Sequence, residues 1–202
     1  MAINNRMYSK LPNLVLGFHG CDEKTYEKVI HESEALKPSK NSYDWLGNGI
    51  YFWENNYERA KEWAESKHKG KGKVIGAVLD LGYCLNLTDY GSSEILNYGY
   101  EALKANIIAV GAEMPKNKNG RSQTDILLRD LDCAVIEQVH QMNEFALKEA
   151  YDSVRGVFTE GCEIYPGSAL REKTHTQICV RNPNCIKGYF KPIESNLKYC
   201  IP

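Results

Sequence analysis

No apolar run in this chain approaches the roughly 18 residues that a membrane-crossing helix requires. The N-terminal stretch, Met1-Ala-Ile-Asn-Asn-Arg-Met-Tyr-Ser-Lys-Leu-Pro12, also lacks the continuous apolar core of a secretory signal. A cytoplasmic protein without membrane partners is therefore expected. Charge of one sign is missing too: 25 Lys+Arg stand against 26 Asp+Glu, for a formal net charge of -1. That balance excludes a protein that coats nucleic acid by charge alone, and an acidic solvating tail. No Cys-x-x-Cys pair occurs, and Cys21, Cys84, Cys133, Cys162, Cys179, Cys185 and Cys200 are scattered, with no Cys/His cluster at zinc spacing. They read as buried reduced thiols, and no metal is expected.

What is present suffices for a packed core: 43% of the 202 residues are hydrophobic and 10% aromatic. The length fits one domain, 1–202. Leu14–Phe18 and Gly49–Trp53 read as short apolar strands, each followed by a helical pattern, Asp22–Ala35 and then Asn55 to about Lys67. Lys73–Leu87 reads as a strand, or a strand pair about Gly82. Ser92–Val110 and Asp125–Glu149 are helical patterns separated by a polar loop, Pro115–Ser122, so that 91–150 forms a mainly helical central insert. Val154–Phe158, His175–Arg181 and Gly188–Pro192 close the chain as strands. Strands at both ends with helices between describe an α+β domain.

Three segments carry chemistry. Gly17-Phe-His-Gly20 ends a strand with a histidine beside a glycine, where a ligand can approach the backbone closely. Gly47-Asn-Gly-Ile-Tyr-Phe52 leads tightly into a strand carrying Tyr51, an aromatic face suited to a flat ring. On that strand Tyr51 and Phe52 alternate, so one belongs to the core and the other to a cleft. Thr174-His-Thr-Gln-Ile-Cys-Val180 puts His175 and Gln177 on one side of a strand.

Together these motifs resemble the ADP-ribosyltransferase superfamily, in its diphtheria-toxin-like and poly(ADP-ribose)-polymerase-like branch, over Leu14–Trp63 and about Tyr151–Pro192. The resemblance implies an α+β fold of two small packed β-sheets with flanking helices, and NAD as substrate. It implies that His19 bonds the adenosine-side ribose, that the Gly20 backbone pairs with the nicotinamide carboxamide, and that Tyr51 stacks the nicotinamide ring. Trp63 falls within one position of a second stacking aromatic of the family. The branch's His–Tyr–Glu triad would read His19, Tyr51 and Gln177 here. Gly-Asn-Gly-Ile-Tyr-Phe is similar to the polymerase element Gly-x-Gly-Ile-Tyr-Phe.

Glutamine at the glutamate position can accept a hydrogen bond, but it brings neither charge nor a protonation equilibrium. Its presence argues against chain elongation and for transfer of one ADP-ribose unit to a protein or nucleic-acid acceptor. Glu160, Glu163 and Glu172 are the nearest carboxylates that could substitute, although Glu160 and Glu163 read more readily as solvated loop charges. His175, two residues before Gln177, is the candidate acceptor-side base. Tyr43, Asp44 and Trp45 could line the cleft or anchor their loop, and Lys67–Lys73 reads as a solvated turn. The alternatives are an NAD glycohydrolase and an inactive NAD- or ADP-ribose-binding module. Compact polymerase-like proteins of this kind suggest a bacterial effector or toxin. Target selection would fall to the helical insert and to the loop before Gln177.

Overall fold

The computed structural model describes residues 14–120, 125–193 and 195–199; the stretch Met1–Pro12, Ser122 and Cys200 lie outside the described residues. The first strand, β1 (Val15–Cys21), runs into α1 (Glu23–Ile30), whose first turn is capped by Asp22 accepting from the Thr25 N–H at 2.8 Å. The helix ends earlier than its pattern suggests, because Ser33 takes a left-handed conformation (φ 59°) that a helix cannot contain. Strand β2 (Ile50–Glu54) leads to α2 (Tyr57–Lys67), capped by Asn56 rather than Asn55. Asn55 instead turns the chain with a φ of 46° and donates its N–H to the Leu16 carbonyl.

The segment read as a strand pair about Gly82 is indeed two strands, β3 (Lys73–Leu79) and β4 (Cys84–Asn86), which do not pair with each other. After α3 (Tyr90–Ala109), a small hairpin of β5 (Lys118–Asn119) and β6 (Ile126–Leu128) precedes α4 (Asp130–Phe145). The helical pattern from Asp125 thus begins as a strand. The Leu127 carbonyl accepts from the Trp45 indole at 2.9 Å, and the Asn117 side chain receives the N–H groups of Leu131 and Asp132, which sets the helix start downstream. Strands β7 (Ser153–Phe158), β8 (His175–Val180) and β9 (Ile186–Phe190) complete the chain.

The large sheet has seven strands in the order β4-β7-β8-β2-β1-β3-β9, mixed because β4 and β7 run parallel. The expectation of two separate packed sheets is corrected accordingly: one sheet carries both halves, with the two-stranded β5-β6 ribbon beside it. The halves are joined thinly. β1 pairs with β3 at seven positions but with β2 only at Gly17↔Glu54 and Phe18↔Trp53, so the sheet splits from His19 onward.

Both faces of the sheet are covered. On one, Ile50, Phe52, Ile75, Ala77, Leu79, Ile178 and Val180 pack with Tyr26 and Val29 of α1. On the other, α4 brings Ile136 and Val139 onto Leu46, Val154, Phe158 and Cys179, while Ala60 of α2 joins Trp53 and Val74. The central segment is therefore no detached insert, since α4 supplies core. No helix among the described residues is long and apolar enough to cross a membrane.

Candidate active site

Strand alternation does the first sorting. Phe52 is fully buried in the α1-side core, which leaves Tyr51 and Trp53 on the opposite face. Across the strands Phe18, Trp53, Gln177 and Gly156 form one transverse row, with Tyr51, Cys179 and Val154 in the next. Gln177 thus has an indole on one side and a glycine on the other. It is 9% exposed, so it is no ordinary surface strand residue.

Trp53 is the hub of this face. Its ring lies 5.7 Å from that of Trp63 and 6.5 Å from that of His175, and its strand position opposes Gln177. Trp63, 37% exposed, stands at the mouth next to Gly20. A Cβ on Gly20 would sit 3.0 Å from Trp63 Cε3 and 2.7 Å from the Ala60 carbonyl oxygen, so α2 can pack this closely only against glycine. Trp45 stacks on His175 at 6.1 Å, with Phe158 alongside, and the Arg129 guanidinium caps Trp45 at 4.6 Å.

His19 belongs to the other face. In the β1/β3 ladder it opposes Ile75, and its ring lies 5.8 Å from Phe52. Its Nδ1 nevertheless donates to the Tyr51 main-chain carbonyl at 2.8 Å, bridging the split between β1 and β2. A split is the one interior place in a sheet where side chains of opposite faces can reach one ligand. Burial pulls the His19 pKa below its ordinary value, only partly countered by that carbonyl, so the ring is neutral and Nε2 keeps its lone pair.

Tyr51 uses its hydroxyl internally, donating to the Gly47 carbonyl at 2.6 Å and accepting from the Leu46 N–H at 2.8 Å. Gly47 needs its glycine: φ is +78°, and a Cβ would lie 2.5 Å from Glu137 Oε1. That carboxylate accepts from the Asn48 N–H at 2.8 Å and from Arg181 at 2.7 Å, tying the glycine loop to α4. The ring of Tyr51, not its hydroxyl, is what the site can offer. Of the neighbouring loop residues, Asp44 anchors the loop by accepting from Ser39 and from the Asn41 N–H, while Trp45 lines the site.

The substitute carboxylates separate clearly. Glu163 accepts from the Gly167 N–H and Glu172 from the Cys162 N–H, both exposed and engaged with their own loop. Glu160, expected to be a solvated loop charge, is instead 7% exposed; its Oε2 accepts from Arg59 at 2.7 Å and lies 3.6 Å from His175 Nδ1. The loop between β7 and β8 folds back onto α2, through this pair and a Lys173–Glu62 ion pair, and no local pattern announces that. His175 Nδ1 donates to the Lys173 carbonyl at 2.6 Å, and its Nε2 faces Gln177 Nε2 at 3.0 Å, so the lone pair a base would use is already taken.

Trp53, Arg59, Arg129 and Phe158 were not singled out from the sequence. Only Trp53 had a readable signal, its i+2 position from Tyr51 on one strand face. Three buried donors around His175, Trp53 Nε1, Arg59 Nε and Arg129 Nε, have no hydrogen-bond partner; the other such atoms among the described residues are the two ring nitrogens of His140. Unpartnered buried donors cost about 1–3 kcal/mol each, so these three call for an acceptor, water or ligand, that the described residues do not supply. Two surface depressions lie elsewhere: one of about 480 Å³ is rimmed by Asp22, Lys67, His68 and Lys71, just past Gly20, and one of about 260 Å³ is on the α1-side face at Leu36, Ile50 and Tyr189. No three His, Cys, Asp or Glu side chains among the described residues are placed to hold a metal ion.

No family model matches the chain. It is similar to the uncharacterized protein MJ0359 of Methanocaldococcus jannaschii, with 26% identity over 195 residues covering 84% of this chain and 83% of that protein, whose name assigns no activity.

Proposed function

We propose that the protein transfers a single ADP-ribose unit from NAD to a macromolecular acceptor, within an ADP-ribosyltransferase-like fold. The observation that carries this reading is the meeting of three motifs, distant in sequence, at one break in the sheet: His19 bridges to the Tyr51 carbonyl, Gly20 abuts Trp63, and Gln177 lies across from Trp53. NAD is the substrate. Its nicotinamide would lie at the β1/β2 split against Tyr51 and Trp63, and the main chain of Gly20, beyond the last β1/β2 register pair, would pair with the carboxamide. The unpartnered donors of Arg59 and Trp53 support a ligand rich in acceptor oxygens.

In the reaction the bond between ribose C1′ and the nicotinamide nitrogen breaks, and both electrons leave with neutral nicotinamide. An acceptor oxygen or nitrogen bonds to C1′ and releases its proton to water. Charge on the ribose develops toward a cation, and the carbonyl dipole of Gln177 stabilises it less than a carboxylate would. Glu160 brings negative charge to the same neighbourhood, although its pairing with Arg59 holds part of that charge. A weakened electrostatic contribution agrees with single-unit transfer.

The test is incubation with adenylate-labelled NAD and a cell lysate, followed by protease or nuclease digestion. Expected are nicotinamide release and label in macromolecule, both lost in His19→Ala and Tyr51→Ala. Free ADP-ribose without labelled macromolecule would identify a glycohydrolase, and saturable binding without nicotinamide release a binding module. Release at the parental rate in both variants would overturn the site.

A further inference from the structure

His175 is 4% exposed, lies two residues before Gln177 on β8, and sits under Trp45, Trp53 and Phe158. Its Nδ1 is 2.6 Å from the Lys173 main-chain carbonyl, which can only accept, so Nδ1 carries a proton. A neutral ring with that tautomer presents a lone pair at Nε2. The side-chain nitrogen of Gln177 lies 3.0 Å from it and must be the donor. The amide is thereby oriented: its NH2 is spent on His175, and Oε1 is the end without a partner among the described residues.

We propose that His175 is a positioning residue for Gln177, holding the amide as a neutral, Nδ1-protonated imidazole so that the carbonyl oxygen and not the NH2 group faces the ribose. The proposal rests on the transfer reading for what Gln177 meets, and on geometry alone for how Gln177 is held. It replaces the role of acceptor-side base, which would need the Nε2 lone pair that Gln177 occupies.

Protonation reverses the arrangement. An imidazolium donates from both nitrogens, so Gln177 must turn its amide over, giving Oε1 to His175 and NH2 to the cleft. The positive end of that dipole then opposes the developing ribosyl cation. The charged groups facing the ring are few. Glu160, from the loop after β7, stands 3.6 Å from Nδ1 and is paired with Arg59 of α2, and Arg129, just before α4, lies over Trp45 and Phe158. Burial pulls the His175 pKa below its ordinary value; the Lys173 carbonyl and Glu160 work against that pull, and the two arginines with it. The neutral ring is the resting form at physiological pH.

Two measurements test this. In the full-length protein with ¹⁵N-labelled histidine, the ring nitrogens of His175 should report the Nδ1–H tautomer at neutral pH; an Nε2–H tautomer or a charged ring would overturn the positioning whether or not NAD is turned over. In nicotinamide-release kinetics, kcat should fall on the acid side of neutrality, and His175→Gln, which can still accept from Gln177 but cannot titrate, should lose that acid limb. His175→Ala should lower kcat at least tenfold while KM for NAD stays within about threefold. An acid limb retained in His175→Gln, or a KM defect without a kcat defect in His175→Ala, would overturn the proposal. Absence of nicotinamide release from the parent protein would count against the transfer reading, and the tautomer measurement would still decide on the pair.

Discussion

His19 reaches across the split in the sheet to donate from Nδ1 to the main-chain carbonyl of Tyr51 at 2.8 Å, a side-chain bond standing where the β1/β2 ladder has stopped. It is a clamp on the width of the split as well as a means of fixing the ring. His19→Ala should therefore reduce nicotinamide release by at least about a hundredfold, combining the loss of Nε2 with a slackened split. His19→Asn, which can keep a bond to the Tyr51 carbonyl, should retain NAD binding better than it retains turnover. Comparing fluorescence-detected NAD binding with nicotinamide release in the two variants checks this.

Gly20→Ala tests the seat of α2. The added methyl would lie 2.7 Å from the Ala60 carbonyl oxygen and 3.0 Å from Trp63, so helix and indole must move away from β1. The expected cost is about 1–3 kcal/mol of stability, read by urea denaturation, together with a KM for NAD raised more than kcat is lowered.

Tyr51→Phe keeps the ring and removes the hydroxyl that joins the Gly47 carbonyl to the Leu46 N–H. Leaving those two main-chain groups unpaired should cost about 1–3 kcal/mol. Turnover at saturating NAD should survive far better than in Tyr51→Ala. Equal losses in both variants would show that the hydroxyl, rather than the ring, serves the reaction.

Acid should destabilise the fold through its buried imidazoles. His140 is 6% exposed, neither ring nitrogen has a partner among the described residues, and burial together with Arg181 lowers its pKa to about 3. An unfolded histidine titrates near 6.5, so between roughly pH 6.5 and 3 the unfolded chain binds a proton that the folded one refuses. Stability from this group is complete above that window and falls by up to about 1.4 kcal/mol per pH unit as the pH drops through it. His140→Leu should show a visibly shallower loss of urea midpoint between pH 6.5 and 5 than the parent protein.

Thiol reactivity should single out one position among the described cysteines. Cys162 is exposed, whereas Cys21, Cys84, Cys133, Cys179 and Cys185 are buried. Burial pushes the Cys21 thiol up to about 12 and those of Cys84, Cys133 and Cys185 up to about 11. Brief alkylation of the native protein followed by peptide mass mapping should find Cys162 modified within minutes and those five only after denaturation.

The sequence by itself determined the local pieces. Alternating apolar residues settled that Tyr51 and Phe52 face opposite ways, Asp22 announced its helix, and the three motifs were visible because each is contiguous. It also marked Gly47 as part of a tight entry to its strand and Gly20 as a point of close backbone approach; the φ of +78° at Gly47 and the packing of α2 against Gly20 came only with the structure. Local patterning misread Asp125–Leu128, where a tertiary bond from Trp45 to the Leu127 carbonyl overrode helical periodicity. Only the tertiary structure decided the rest. The joining of the halves at two register positions, the burial of Glu160 against Arg59 101 residues away, and the role of Trp53 as hub depend on which strands become neighbours. Periodicity gives the face on which a residue sits but not its partner across the sheet. The orientation of the Gln177 amide, which the sequence shows only as a missing carboxylate, is likewise set by a neighbour whose own proton is fixed by the Lys173 carbonyl.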